Sequence, residues 1–141
     1  MEQIIRLELR NNLSDSEIII NAVEEYWKEN QLKPEILFNI HLAIDEIFSN
    51  VVRHAFEDDN QHTIFFTSYK SGDLFITEFV DNGKYFNPLA QAGPDVSAGL
   101  DEREPGGLGI FLVKKISEKI DYIRENDINK LSVTFNLNTG E

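Results

Sequence analysis

Two pairs of short alternating segments constrain this chain more than any other feature. The stretches HTIFFTSYK (residues 62–70) and DLFITEFVD (73–81) meet at Ser71-Gly72. The stretches DYIREN (121–126) and KLSVTFNL (130–137) are separated by a segment carrying Asp127 and Asn129. These read as half-buried strands, and the residues between them are turn formers. Strands joined by so short a turn pair antiparallel, because a parallel partner needs a crossover of roughly a dozen residues. Residues 3–10 alternate as well, with Ile5, Leu7 and Leu9 on one face and Arg6, Glu8 and Arg10 on the other.

Around these strands lie segments of helical period. A helix starting at Ser14 or Asp15 carries Ile18, Ile19, Ala22, Val23, Tyr26 and Trp27 at helical spacing and ends at Asn30-Gln31. Pro34 suits the first turn of a second helix, which runs to about Phe56. A third is expected from about Leu108 to Lys119. The order is therefore strand, helix, helix, strand, strand, long loop, helix, strand, strand. Helices and sheet each have an apolar face to cover. About three helices laid on one face of a mixed, mostly antiparallel sheet satisfy both, which makes a two-layer α+β sandwich. With no repeat, linker or low-complexity tract, residues 1–141 read as one domain.

Composition narrows the function. There is no cysteine, which excludes disulfides and thiolate metal sites and favours the cytoplasm. The formal net charge is −12, so no direct nucleic-acid binding and no membrane association are expected, since phosphate binding rests on Lys and Arg. The apolar runs are too short to cross a bilayer, and MEQIIRLELR lacks the basic start and apolar stretch of a secretion signal.

Three motifs point to chemistry. On the second helix, at about 100° per residue, Ile44, Ile47, Phe48, Val51 and Ala55 share one face, while Glu46, Asn50 and Arg53 line the other with His54 at its edge. Glu46 and Asn50 are neighbours at i and i+4. Such a stripe is ordinarily a solvated face, but a carboxylate beside an amide can also pair a general base with a hard oxygen ligand suited to Mg²⁺. Next, Asp81-Asn82-Gly83 closes a strand. It reads as a turn, yet the chain then enters an irregular stretch from 84 through 105, well beyond the ~12–15 residues usual for a structureless loop in a compact domain. An acidic side chain there can accept a hydrogen bond from an exocyclic amine. Finally, Gly106-Gly107-Leu108-Gly109 opens a helix. Either a hinge or a phosphate cradle explains glycines at that point, because a helix N-terminus presents unpaired N–H groups and about half a positive charge. The loop itself supplies only Lys84 and Arg103 as cations.

Taken in order, Glu46-x3-Asn50-x3-His54-Ala55, Asp81-Asn82-Gly83 and Gly106-Gly107-Leu108-Gly109 resemble the Bergerat-type ATP-binding domain shared by DNA gyrase, MutL, a class of heat-shock chaperones and sensor histidine kinases, the GHKL superfamily. The likeness runs over essentially the whole chain. The wording EIFSNVVRHAF and PGGLGIFLVKKI is most similar to the bacterial anti-sigma-factor serine/threonine kinases of the RsbW and SpoIIAB type.

The resemblance implies ATP and Mg²⁺ as cofactors. It implies Glu46 as general base and Asn50 as the Mg²⁺ ligand, Asp81 and Gly83 at the adenine, and Gly107, Leu108 and Gly109 at the phosphates. It implies residues 84–105 as the ATP lid, with Arg103 reaching the terminal phosphate. It further implies an anti-anti-sigma substrate of STAS fold, a sigma factor as second partner, and a homodimer. One departure stands out: many relatives carry Gly-Thr at the start of the last strand, where this chain has Asn129-Lys130-Leu131-Ser132. Ser132 and Thr134 are the candidates to replace that threonine. Two other readings stay open, an ATP-gated binding module without kinase activity and an isolated histidine-kinase catalytic domain.

Overall fold

The computed structural model describes residues 2–90 and 107–138. Five strands form one sheet in the order β1-β2-β3-β5-β4: β1 (Glu2–Arg10), β2 (Thr63–Ser71), β3 (Leu74–Asp81), β4 (Lys119–Glu125) and β5 (Ile128–Asn136). All four pairings are antiparallel, so no parallel pair makes the sheet mixed among the described residues. The helices α1 (Ser16–Glu29), α2 (Pro34–His54) and α3 (Gly107–Ile116) complete the layer.

Both hairpin turns sit one or two residues from where the sequence placed them. Ser71 pairs with Leu74, so the first turn is Gly72-Asp73, with Gly72 at φ 60°. Glu125 pairs with Ile128, so the second is Asn126-Asp127, at φ 52° and 64°. A two-residue hairpin takes left-handed backbone at both central positions, as the second turn does, or at the first alone, as the first turn does at Gly72. Asn129 is thus no turn residue. It lies inside β5, paired with Asp81 on one side and Arg124 on the other.

One face of the sheet is buried. Leu9, Ile64, Phe66, Phe75, Phe79, Leu131, Val133 and Phe135 meet Ile40, Ile44, Ile47, Phe48 and Val51 of α2. Trp27 of α1 crosses Phe75 edge-on at 5.2 Å and anchors its indole N–H on the Lys33 carbonyl at 2.8 Å. The start of α1 differs from expectation. A short 3-10 turn, Leu13–Asp15, precedes it and is capped by Asn12, while the Asp15 side chain makes no cap and instead accepts from the backbone N–H and guanidinium of Arg10 at 2.9 Å each. The helix α3 stops at Ile116, three residues early, because Lys119 already belongs to β4.

Candidate functional site

The helix α2 carries Glu46 and Asn50, and the structure turns them differently from the solvated stripe expected. Asn50 is buried, at 4% exposure, and its Nδ2 donates to Glu46 Oε2 at 2.8 Å. That hydrogen bond commits the amide nitrogen toward the carboxylate, while Asn50 Oδ1 has no partner among the described residues. Arg53 and His54 diverge from the pair. Arg53 is exposed and lines an open groove of about 460 Å³ with Leu13, Leu42, Asp45, Glu46 and Ser49. The His54 ring packs against Phe86 at 4.9 Å.

The first turn of α3 presses directly on this pair. A Cβ at Gly109 would lie 1.9 Å from Glu46 Oε1 and 2.0 Å from its Cδ. No side chain fits there while Glu46 keeps this position, so the glycine lets a helix N-terminus and a carboxylate share one point. The first-turn N–H groups of a helix have no intrahelical acceptor, and with the helix dipole they favour an anionic ligand. Gly107 and Leu108 lie in that same turn of α3. Arg103, and the part of the expected lid beyond residue 90, fall outside the described residues.

Asp81 ends β3 and is 4% exposed. Its Oδ1 accepts from the Gly83 N–H at 2.8 Å and from Asn129 Nδ2 at 3.0 Å. Burial pushes the carboxyl pKa up, opposed by those two hydrogen bonds and by the nearby Arg124 charge. The turn expected of Asp-Asn-Gly is therefore real, and it holds a buried acid in place. Gly83 has a structural reason of its own: a Cβ there would sit 2.2 Å from the Ala55 carbonyl oxygen, and the Lys84 N–H donates to that same oxygen at 2.8 Å. The glycine thus lets the chain leaving β3 tie off the end of α2. Lys84, expected as one of two loop cations, pairs with Glu57 at 3.4 Å.

Asp81, Asn50 and Asn129 line one cavity together with Phe86, Pro88 and Tyr122. It holds about 10 Å³, room for about one water. That volume is too small for a flat ring. Ser132 and Thr134 take no part, because β5 turns Asn129, Leu131, Val133 and Phe135 inward and therefore Ser132 and Thr134 outward. The residue missed from sequence is Asn129, and the signal was one of register: counted from a two-residue turn at 126–127, it falls on the buried face.

The donor set fits a nucleotide: a buried carboxylate with one oxygen uncommitted among the described residues, an amide oxygen likewise uncommitted among them, and a helix N-terminus cleared by glycine. Among the described residues no three His, Cys, Asp or Glu side chains converge. A single amide oxygen suits Mg²⁺, which binds through substrate phosphates and water as much as through protein.

Comparison with known proteins decides the family. Residues 9–135 match the family described as histidine kinase-like ATPase domain. The chain belongs to that family. It is 27% identical over 114 residues to the serine/threonine-protein kinase BtrW of Bordetella bronchiseptica, covering 77% of this chain and 80% of that protein. It is 29% identical over 92 residues to the serine-protein kinase RsbW of Listeria monocytogenes, covering 61% of this chain and 57% of RsbW. The fold is that of the RsbU and RsbW domain structure of Rv1364c from Mycobacterium tuberculosis, with a TM-score of 0.66 at 12% identity over 94% of this chain and 31% of the other. This chain thus spans less than two thirds of RsbW and under a third of the Rv1364c chain. No helix among the described residues is long and apolar enough to cross a membrane.

Proposed function

We propose that this chain is an ATP-dependent protein serine/threonine kinase that acts in a partner-switching circuit. The observation that carries the reading is the meeting of Glu46, Asn50 and Gly109, where a carboxylate, an amide oxygen without a partner among the described residues and a helix N-terminus converge. Asp81 accepts the adenine amino group and Gly83 shapes the backbone beside it. The first turn of α3, Gly107 to Gly109, receives the phosphates, and Asn50 Oδ1 holds Mg²⁺, which supplies charge neutralisation when bound. Phosphoryl transfer asks for positioning and electrostatics more than covalent chemistry from the protein.

The acceptor enters through the groove beside Glu46, between Leu13, Leu42 and Arg53. Glu46 takes the proton of a serine or threonine hydroxyl as its oxygen bonds to the terminal phosphorus and the bond to the ADP oxygen breaks. The acceptor is a small anti-anti-sigma protein of STAS fold. A sigma factor is the alternative partner, and the kinase works as a homodimer in the cytoplasm. The names of BtrW and RsbW support the kinase reading.

The test is twofold. Proteins that co-purify with the chain, with and without Mg-ATP, are identified, and the purified pair is incubated with labelled ATP. Label on a serine or threonine of the partner is expected with the unmutated chain, and none with Glu46→Gln, which keeps size and loses the base. A Glu46→Gln chain that labels its partner at the unmutated rate overturns the base assignment.

A further inference from the structure

The side-chain amide of Asn129 is fully committed. Its Nδ2 donates to Asp81 Oδ1 at 3.0 Å and to the Lys84 carbonyl at 2.8 Å. Its Oδ1 accepts from the Tyr122 hydroxyl and, at 3.1 Å, from Arg124 Nη1. An asparagine offers two N–H donors and two acceptor lone pairs, so all four are used and the amide has one orientation. The guanidinium that holds it also donates to the Gly83 carbonyl at 2.7 Å, so one network grips Asp81 and the chain that leaves β3.

The consequence falls on Asp81. Its Oδ1 is tethered by Gly83 and Asn129, and its Oδ2 has no partner among the described residues. A carboxylate held at one oxygen cannot rotate to exchange the two, so a single defined acceptor remains for a ligand. The Asn129 bond also opposes burial, which disfavours the charge. Without that donor the acid would more readily be protonated, and a protonated acid presents a donor where an amine needs an acceptor.

We propose that Asn129 is a positioning residue for base selectivity. Held by Tyr122 and Arg124, it aims the one uncommitted oxygen of Asp81 at the amino group of a 6-aminopurine, and the preference for ATP over a purine nucleotide lacking that group depends on it. This rests on the reading of Asp81 as the base-contacting residue.

The experiment measures, by calorimetry on the full chain, affinities for Mg-ATP and for the Mg complex of 6-deaminopurine riboside triphosphate. Asn129→Asp places an oxygen where a donor stood and should lower the ATP preference about 10-fold, the worth of a hydrogen bond to a charged group. Tyr122→Phe keeps the ring against Tyr85 and removes one tether, and should lower the preference about 3-fold. Asp81→Asn should abolish it. If Asp81→Asn abolishes the preference while the other two variants, folded by circular dichroism, retain it, the inference is overturned and the role of Asp81 stands. If the Asn129 variant weakens both nucleotides by one common factor, the residue is merely structural and the inference also falls. If Asp81→Asn keeps the preference, the reading of Asp81 itself fails and takes the inference with it. Should Asn129→Asp not fold, Tyr122→Phe decides.

Discussion

Gly109→Ala separates the geometry of the base from the stability of the fold. The added Cβ would lie 1.9 Å from Glu46 Oε1, where ordinary contact begins at 3.4 Å. The carboxylate must therefore retreat by about 1.5 Å, the difference of those two distances. It can do so cheaply, because the obstructed atoms are the far end of a flexible side chain. The fold should not suffer, since alanine in a helix is favoured over glycine by about 1 kcal/mol. Transfer should suffer strongly, because a misplacement of about 1 Å can cost roughly 100-fold, or about 2.7 kcal/mol of barrier. The assay is single-turnover transfer from labelled ATP to the co-purified partner at saturating ATP, with thermal unfolding alongside. A second arm sharpens it: Glu46→Asp shortens the side chain by one bond of about 1.5 Å and withdraws the same carboxylate by itself, so the double variant Gly109→Ala/Glu46→Asp should transfer about as slowly as the slower single variant. A Gly109→Ala chain that folds and transfers at the unmutated rate, or a double variant whose losses simply multiply, would refute the contact as a determinant of catalysis.

Gly83→Ala should behave in the opposite way. Its Cβ meets the Ala55 backbone, which cannot swing aside, so a loss of about 1–3 kcal/mol should appear as a lower melting temperature before any nucleotide is added. Asp81→Asn should stabilise the fold at neutral pH while weakening ATP. The folded carboxyl pKa is raised above its ordinary 3.8, so the charged acid is a cost that is absent below that value and grows as pH rises through the folded pKa. Urea unfolding should therefore show the variant and the unmutated chain equal at pH 3 and separated at pH 7, and equal stability at both would contradict the raised pKa. Mg-ATP at 100 times its dissociation constant should add about 2.7 kcal/mol, and a melting temperature indifferent to saturating Mg-ATP and Mg-ADP would remove the nucleotide site altogether.

The elements were legible because each rests on local physics. Period-2 alternation, Gly72 in a tight turn and Pro34 at the start of a helix are all decided within a few residues. Helix ends were less so, because their causes are distant. Ala55 ends α2 where Lys84 and Gly83 arrive from β3, and α3 yields to β4, whose pairing with β5 claims Lys119. The polar stripe was legible as residue types and not as environment: spacing alone places Asn50 with Arg53, whereas packing buries the first beside Asp81, Phe86 and Asn129 and leaves the second in solvent.

By itself the sequence determined which side chains could carry chemistry, and in what order they occur: Glu46 and Asn50 one helical turn apart, an acid ending a strand, and glycines opening a helix. Tertiary structure decided what those residues meet. Glu46 and Gly109 are 63 positions apart in the chain, and only the crossing of α2 and α3 reveals that one lacks a side chain because the other fills its place. Asn129 passed for a turn residue until the two-residue hairpin set the register of β5. A shift of one residue exchanges the faces of a strand, and here the register put the amide inward, against Asp81, from the neighbouring strand.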